Sequence, residues 1–150
     1  MAARLTVIVE PATLRSDSQG SITGGLSVAI EDLVFPEASW SDYPVIVLAW
    51  WARECPNVVD RELATFAFMD GSLAFWVRPR TEGDAVVEFT REGDAAGSVF
   101  ASATVEPRSV VEAVLNAGRG VLAACREKSW TNPDLDELAA AIEEAGRPST

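Results

Sequence analysis

Apolar positions follow a period of two over much of the first 105 residues and a helical spacing after Pro107. Leu5 to Val9 is rich in β-branched residues and stops at Glu10-Pro11, which predicts a strand followed by a breaker. The polar stretch from Arg15 to Gly20 then reads as a loop. From Ser21 to Phe35, the residues Ile22, Leu26, Val28 and Ile30 fall on one parity, predicting a second strand antiparallel to the first. Gly24-Gly25 marks the place where that strand bulges or bends most easily.

A helix is predicted from about Asp42 to Glu54. Ser41 is placed to cap it, Asp42 complements its dipole in the first turn, and Pro44 is tolerated where early N–H groups lack intrahelical partners. Val45 through Trp51 is apolar nearly all round, so the helix should be buried on more than one side, and Pro56 should end it. Leu63 to Met69, Asp70-Gly71 and Ser72 to Val77 read as a hairpin, because Asp-Gly suits the positive φ values of a two-residue turn. In that register Phe68 faces Leu73 and Phe66 faces Phe75, so these four side chains share one core face. Ala85 to Thr90 and Ser98 to Val105 read as two more strands joined by the turn from Arg91 to Gly97.

Beyond Pro107, Val111, Val114, Leu115, Gly118, Val121, Leu122 and Cys125 form one helical stripe, within which Gly118 and Gly120 imply close packing or a break. Asn132-Pro133 supplies a capping side chain before Pro at the first helical position. Leu135, Leu138, Ala139 and Ile142 make the buried stripe of a last helix, ahead of a frayed tail from Gly146 to Thr150. These elements predict a single α+β domain over residues 1–150, with a mainly antiparallel sheet of about six strands packed against one central and two C-terminal helices.

Composition narrows the function. The chain has 23 acidic side chains against 12 basic ones, a net charge of −11, so it repels phosphate backbones and anionic lipid and is expected to bind neither nucleic acid nor membrane. A basic protein is the natural complement; the alternative is that the acidity only keeps the chain soluble. Two cysteines far apart, no signal-peptide pattern and an apolar run of only Val45 to Ala52 predict reduced thiols and a cytoplasmic location.

Histidine is absent, which removes Ser-His-Asp and Cys-His mechanisms and the commonest metal ligand. No CxxC, HExxH or EF-hand spacing occurs, and neither GxGxxG after a strand nor GxxxxGK[ST] is present. No cofactor and no metal are therefore expected, and the chain is read as a non-enzyme. Asp70 suits a turn better than catalysis. Cys55, at the expected end of the central helix, and Cys125, on the apolar stripe, are read as inert thiols.

Glu37 and Asp42 bracket Trp40 where strand meets helix. They are read either as an acid pair available for general acid/base work or as loop solvation with helix-dipole complementarity. The five tryptophans, Trp40, Trp50, Trp51, Trp76 and Trp130, suit a core, a ligand pocket or an interface. Hairpin parity puts Trp76 on the sheet face opposite the phenylalanines, with Thr65, Ala67 and Met69, so either a helix or a partner surface should cover it.

The segment from Phe35 to Trp51, FPEASWSDYPVIVLAWW, together with Phe68-Met69-Asp70-Gly71, resembles a group of small bacterial proteins regarded as immunity-protein-like and associated with polymorphic or contact-dependent toxin systems. Cys125 and Ser129-Trp130 echo the C-terminal helical region of that group, so the resemblance spans the central and C-terminal two-thirds of the chain. It implies neutralisation of a cognate toxin by direct binding and carries over no catalytic residues. An acidic inhibitor suits a basic toxin, because complementary charge speeds encounter and disfavours wrong partners. The expected contact is Glu37 and Asp42 as exposed carboxylates beside Trp40 as the aromatic anchor, with Trp76 as a further surface patch. Two other functions remain open: a small-molecule enzyme or ligand-binding protein with a Trp-lined pocket, and a structural subunit of a homo-oligomer.

Overall fold

In a computed structural model describing residues 2–91 and 99–147, the chain is α+β, with eight strands in two antiparallel sheets and three helices among those residues. β1 (Leu5–Ser16) and β2 (Ile22–Ile30) pair with Leu5 opposite Ile30, Val7 opposite Val28 and Val9 opposite Leu26. The one-parity set Ile22, Leu26, Val28 and Ile30 is buried on the inner face. β1 does not stop at Glu10-Pro11. The pairing steps from Glu10 opposite Gly25 to Arg15 opposite Thr23, so residues 11–14 bulge against Gly24, and Pro11 sits where no ladder N–H is needed. Leu14 folds back from the bulge into the core, and a Cβ at Gly24 would lie 2.8 Å from Leu14 Cδ2, so glycine leaves the space that Leu14 fills.

The expected strand over 21–35 is two strands. Glu31, at φ 53°, turns the chain into β3 (Leu33–Phe35), which folds back on β2; the polar pair Glu31-Asp32 inside an apolar run was the local sign of that turn. β4 (Ser41–Asp42) pairs with the other end of β2 at Gly24 and Gly25, so these two residues are strand rather than a helix cap and first turn.

The central helix, α1 (Pro44–Val59), starts two residues later than expected and passes through Pro56. Proline at 56 lacks the N–H that would reach back one turn, yet Val58 is buried in the core and anchors a further turn. Val45, Val47, Leu48, Ala49, Trp51, Ala52 and Cys55 are also buried, so the helix is covered on more than one side, by α2 (Pro107–Glu127) and α3 (Pro133–Ala145) and by both sheets. Cys55 accordingly lies inside the helix and not at its end.

The second sheet runs β5 (Ala64–Ala67), β6 (Leu73–Pro79), β7 (Ala85–Arg91) and β8 (Val99–Val105) in spatial order. Phe66 pairs with Phe75 and Phe75 with Phe89, as inward-facing period-two positions should. The Trp51 indole meets Phe66, Phe68 and Phe75 edge-on at centroid distances of 6.1, 5.2 and 5.2 Å. Phe66, Phe68 and Phe75 are fully buried and Leu73 is half-buried. The hairpin register is as expected but its turn is not. Phe68 N–H donates to Leu73 O, closing a four-residue loop in which Gly71 does not adopt positive φ. Asp70 holds it by accepting from the Ser72 backbone N–H at 3.0 Å and the Ser72 hydroxyl at 2.6 Å. The turn expected over 91–97 lies outside the described residues, apart from Arg91.

Ala3 ties the two sheets by a parallel bridge to Val105, donating its N–H to Thr104 O and accepting from Glu106 N–H. α2 runs through both glycines unbroken. A Cβ at Gly118 would stand 2.5 Å from Ile142 Cδ1, so this glycine allows α2 and α3 to approach, whereas Gly120 has open space. Asn132 caps α3 as expected, accepting from Leu135 N–H at 2.9 Å while donating to Gly20 O at 2.7 Å.

Candidate functional site

β5 is an edge strand, and an edge strand leaves alternate backbone groups without a ladder partner. Phe66 and Phe68 direct their backbone groups toward β6, so those of Thr65, Ala67 and Met69 point the other way. Side chains from β4 and α1 meet them. Asp42 Oδ1 accepts from Met69 N–H at 3.3 Å, Trp51 Nε1–H donates to Ala67 O at 2.8 Å, and Glu54 Oε1 accepts from Thr65 N–H at 2.9 Å. The helix thus lies along the strand edge and fills part of its hydrogen bonding.

Asp42 is the hub of this seam. Besides Met69 it accepts from Tyr43 N–H at 2.7 Å through Oδ1 and from Trp40 Nε1–H at 2.9 Å through Oδ2. A carboxylate can accept several bonds at once, so one side chain fixes the strand-to-helix corner, the Trp40 ring and the end of β5. Beside it two large side chains face solvent, Tyr43 at 36% exposed and Met69 at 37%, and two helical turns beyond Tyr43 Trp50 is 40% exposed. Aromatics exposed at the N-cap and on the second turn of α1, near the Asp70 turn, form a shoulder suited to contact with another molecule.

The expected contact residues divide. Glu37 is exposed on the turn before β4, where its carbonyl accepts from Trp40 N–H at 3.3 Å. Trp40 is half-buried, packed against the core with its indole N–H committed to Asp42. Asp42 is buried, 5% exposed, and not the exposed carboxylate expected from the sequence; a strand pairing that carries it inward and three available donors account for the difference. It braces the shoulder and does not reach solvent. Tyr43 and Trp50 were missed as site residues because apolar positions on a helix buried on several sides read as core; their spacing of seven was the available signal.

Trp76 is half-buried on the outer face of the second sheet, between Thr65 on β5 and Glu88 on β7, beside an Arg78–Glu88 ion pair. α1 lies at the inner side of that sheet, where Trp51 packs on the phenylalanines. The tryptophans do not converge: Trp51 is core, Trp50 is on the shoulder, and Trp130 lies under Lys128 Nζ at 5.4 Å.

A cleft of about 400 Å³ lies between β1 and α2 and another of about 820 Å³ beside the N-terminus of α2, and no tryptophan lines either. Cys55 is fully buried and desolvation pushes its thiol up to about 12, with the Glu54 carboxylate adding to the shift; burial raises Cys125 as well. Hydrogen bonds from Ser72 hold the Asp70 carboxyl below the ordinary range, so this exposed turn keeps its negative charge close to Met69. Among the described residues no group of three or more His, Cys, Asp or Glu is placed to hold a metal ion, and no helix is long and apolar enough to cross a membrane. No family model matches the chain, and no curated protein and no solved structure matches it.

Proposed function

We propose that the chain is a non-enzymatic binding protein that engages a basic protein through the shoulder around Asp42, and that this partner is a bacterial toxin which it neutralises. The observation that carries the reading is the exposure of Tyr43, Trp50 and Met69 around a fully bonded carboxylate, on a chain with a net charge of −11. Exposed aromatic anchors supply desolvated contact area, while Glu37, Asp70 and the overall negative field steer a cationic partner. The likeness of Phe35–Trp51 and Phe68–Gly71 to immunity-protein-like sequences supports a toxin as that partner.

The test uses the polypeptide encoded beside this gene. Calorimetric titration should give tight, saturable binding. Tyr43→Ala with Trp50→Ala should weaken it by about 2 kcal/mol or more, roughly thirtyfold in Kd. Glu37→Gln should mainly slow association and flatten its salt dependence. A folded variant carrying all three changes that kept wild-type affinity and salt dependence would rule the shoulder out.

A further inference from the structure

We propose that the cleft of about 820 Å³ at the N-terminus of α2 is a second binding site, one that takes a small organic oxyanion: a phosphate or carboxylate head on an apolar body of about nucleotide size. The charge distribution points there. The chain has only 12 basic residues, and four of them, Arg61, Arg108, Arg119 and Arg147, line this one cleft. Among the described residues Arg61, Arg108 and Arg119 form no ion pair, although acidic side chains outnumber basic ones almost two to one. Arg147 pairs with Glu143 at 3.1 Å, with both side chains well exposed. The two acids that line the cleft, Glu106 and Glu112, are already taken by Arg4 at 3.2 and 2.9 Å.

One of the guanidinium groups is held in place and a second lies against the end of α3. Arg61 donates to the carbonyls of Arg80 and Gly83, beyond the C-terminal end of α1. Arg119 donates to Asn116 Oδ1 at 3.5 Å and lies across the end of α3, its Nη2 3.7 Å from where a Cβ at Gly146 would stand. α2 enters the cleft at Pro107 with no side-chain cap and no acid in its first turn, and its N-cap residue Glu106 turns its carboxylate to Arg4. Beneath the arginines Val59, Val111 and Leu115 supply an apolar floor, and Val59 is 56% exposed with nothing yet to cover it. Planar forks around an apolar floor match an oxyanion on an apolar body, since guanidinium binds phosphate and carboxylate in two-point geometry.

The site shares no residue with the Asp42 shoulder and stands or falls separately. Wild-type protein is titrated at low salt with ATP, citrate and inorganic phosphate, with adenosine as the uncharged control and a glutamate-rich peptide as the macromolecular alternative. Saturable binding of ATP is expected, weaker for citrate and inorganic phosphate, which lack the body, and absent for adenosine. Arg108→Gln with Arg119→Gln should weaken it at least tenfold, Arg108→Lys with Arg119→Lys less, and Arg126→Gln, which removes an arginine outside the cleft that has no ion pair among the described residues, not at all. Circular dichroism checks that each variant is folded. Failure of every small anion to bind, an equal loss in Arg126→Gln, or a preference for the peptide over the small anions would each overturn the proposal.

Discussion

Asp42→Ala removes the carboxylate on which the strand-to-helix corner depends, and the cost follows from its three bonds. It accepts from Tyr43 N–H at 2.7 Å, Trp40 Nε1–H at 2.9 Å and Met69 N–H at 3.3 Å at a position 5% exposed. Hydrogen bonds to an ionised group contribute about 1.5–3 kcal/mol each. The Met69 bond is long and Trp40 is half-buried, so water recovers part of the loss, and about 3–5 kcal/mol is expected in total. For a chain of this size that lowers Tm by roughly 10 °C. Asp42→Asn separates geometry from bonding: its oxygen can still serve Tyr43 and Met69, but its amide N–H₂ meets the Trp40 N–H donor to donor, so about 2–3 kcal/mol should be lost. Urea unfolding followed by circular dichroism measures both, and hydrogen exchange at the Met69 amide reports the local opening. Asp42→Ala within about 1 kcal/mol of wild type would refute the assignment of Asp42 as the brace of this corner.

Three further outcomes are expected. Gly120→Ala should stabilise α2 by up to about 1 kcal/mol, since a Cβ there meets nothing, whereas Gly118→Ala should gain little or lose stability because Ile142 must give way; paired urea midpoints read the difference. The Cys55 thiol is raised to about 12, so stability tied to its neutral form is fully present below the ordinary thiol range and is lost as pH rises from about 9 toward 12. Cys55→Ala should flatten that alkaline slope, and a native protein whose Cys55 reacts promptly with a thiol reagent at pH 8 would contradict its burial. Glu54→Ala should expose the Thr65 amide at the β5 edge and accelerate its exchange, while Glu54→Gln, which keeps an acceptor oxygen, should leave it close to wild type.

What the sequence made legible was local. Phe66, Phe68 and Phe75 could be set on one core face because alternation and a short turn fix register by themselves, and Asn132-Pro133 marked a helix start because capping is a one-residue signal. What escaped was set by contacts distant in sequence. Pro56 does not end α1 because Val58 packs in the core beyond it, and Asp70-Gly71 does not form the tight turn its dipeptide favours because Ser72 and the closure of Phe68 on Leu73 select a wider one. Ser41 and Asp42 look like a cap and first turn of a helix, yet β2 offers Gly25, 16 residues before Ser41, and Gly24, 18 before Asp42, as a pairing edge, which no local rule anticipates.

Net charge hides more than it reveals about the sites. A total of −11 argues against phosphate ligands, nucleic acid among them, when it is treated as spread evenly over the surface. A long polyanion must lie against much of the surface and so meets the average field. A small anion meets only the groups within a Debye length, about 8 Å in physiological salt. On α2, Arg108, Val111, Leu115 and Arg119 recur at three- and four-residue steps, a basic and apolar stripe that was visible in the sequence but masked by the stronger core stripe through Val114, Gly118 and Val121. Only the fold adds Arg61 from the end of α1 and Arg147 from beyond α3, turning a helix face into a cleft. On the two proposals above, local charge of opposite sign to the whole would let one chain attract a basic protein at the shoulder and hold a small oxyanion at the cleft.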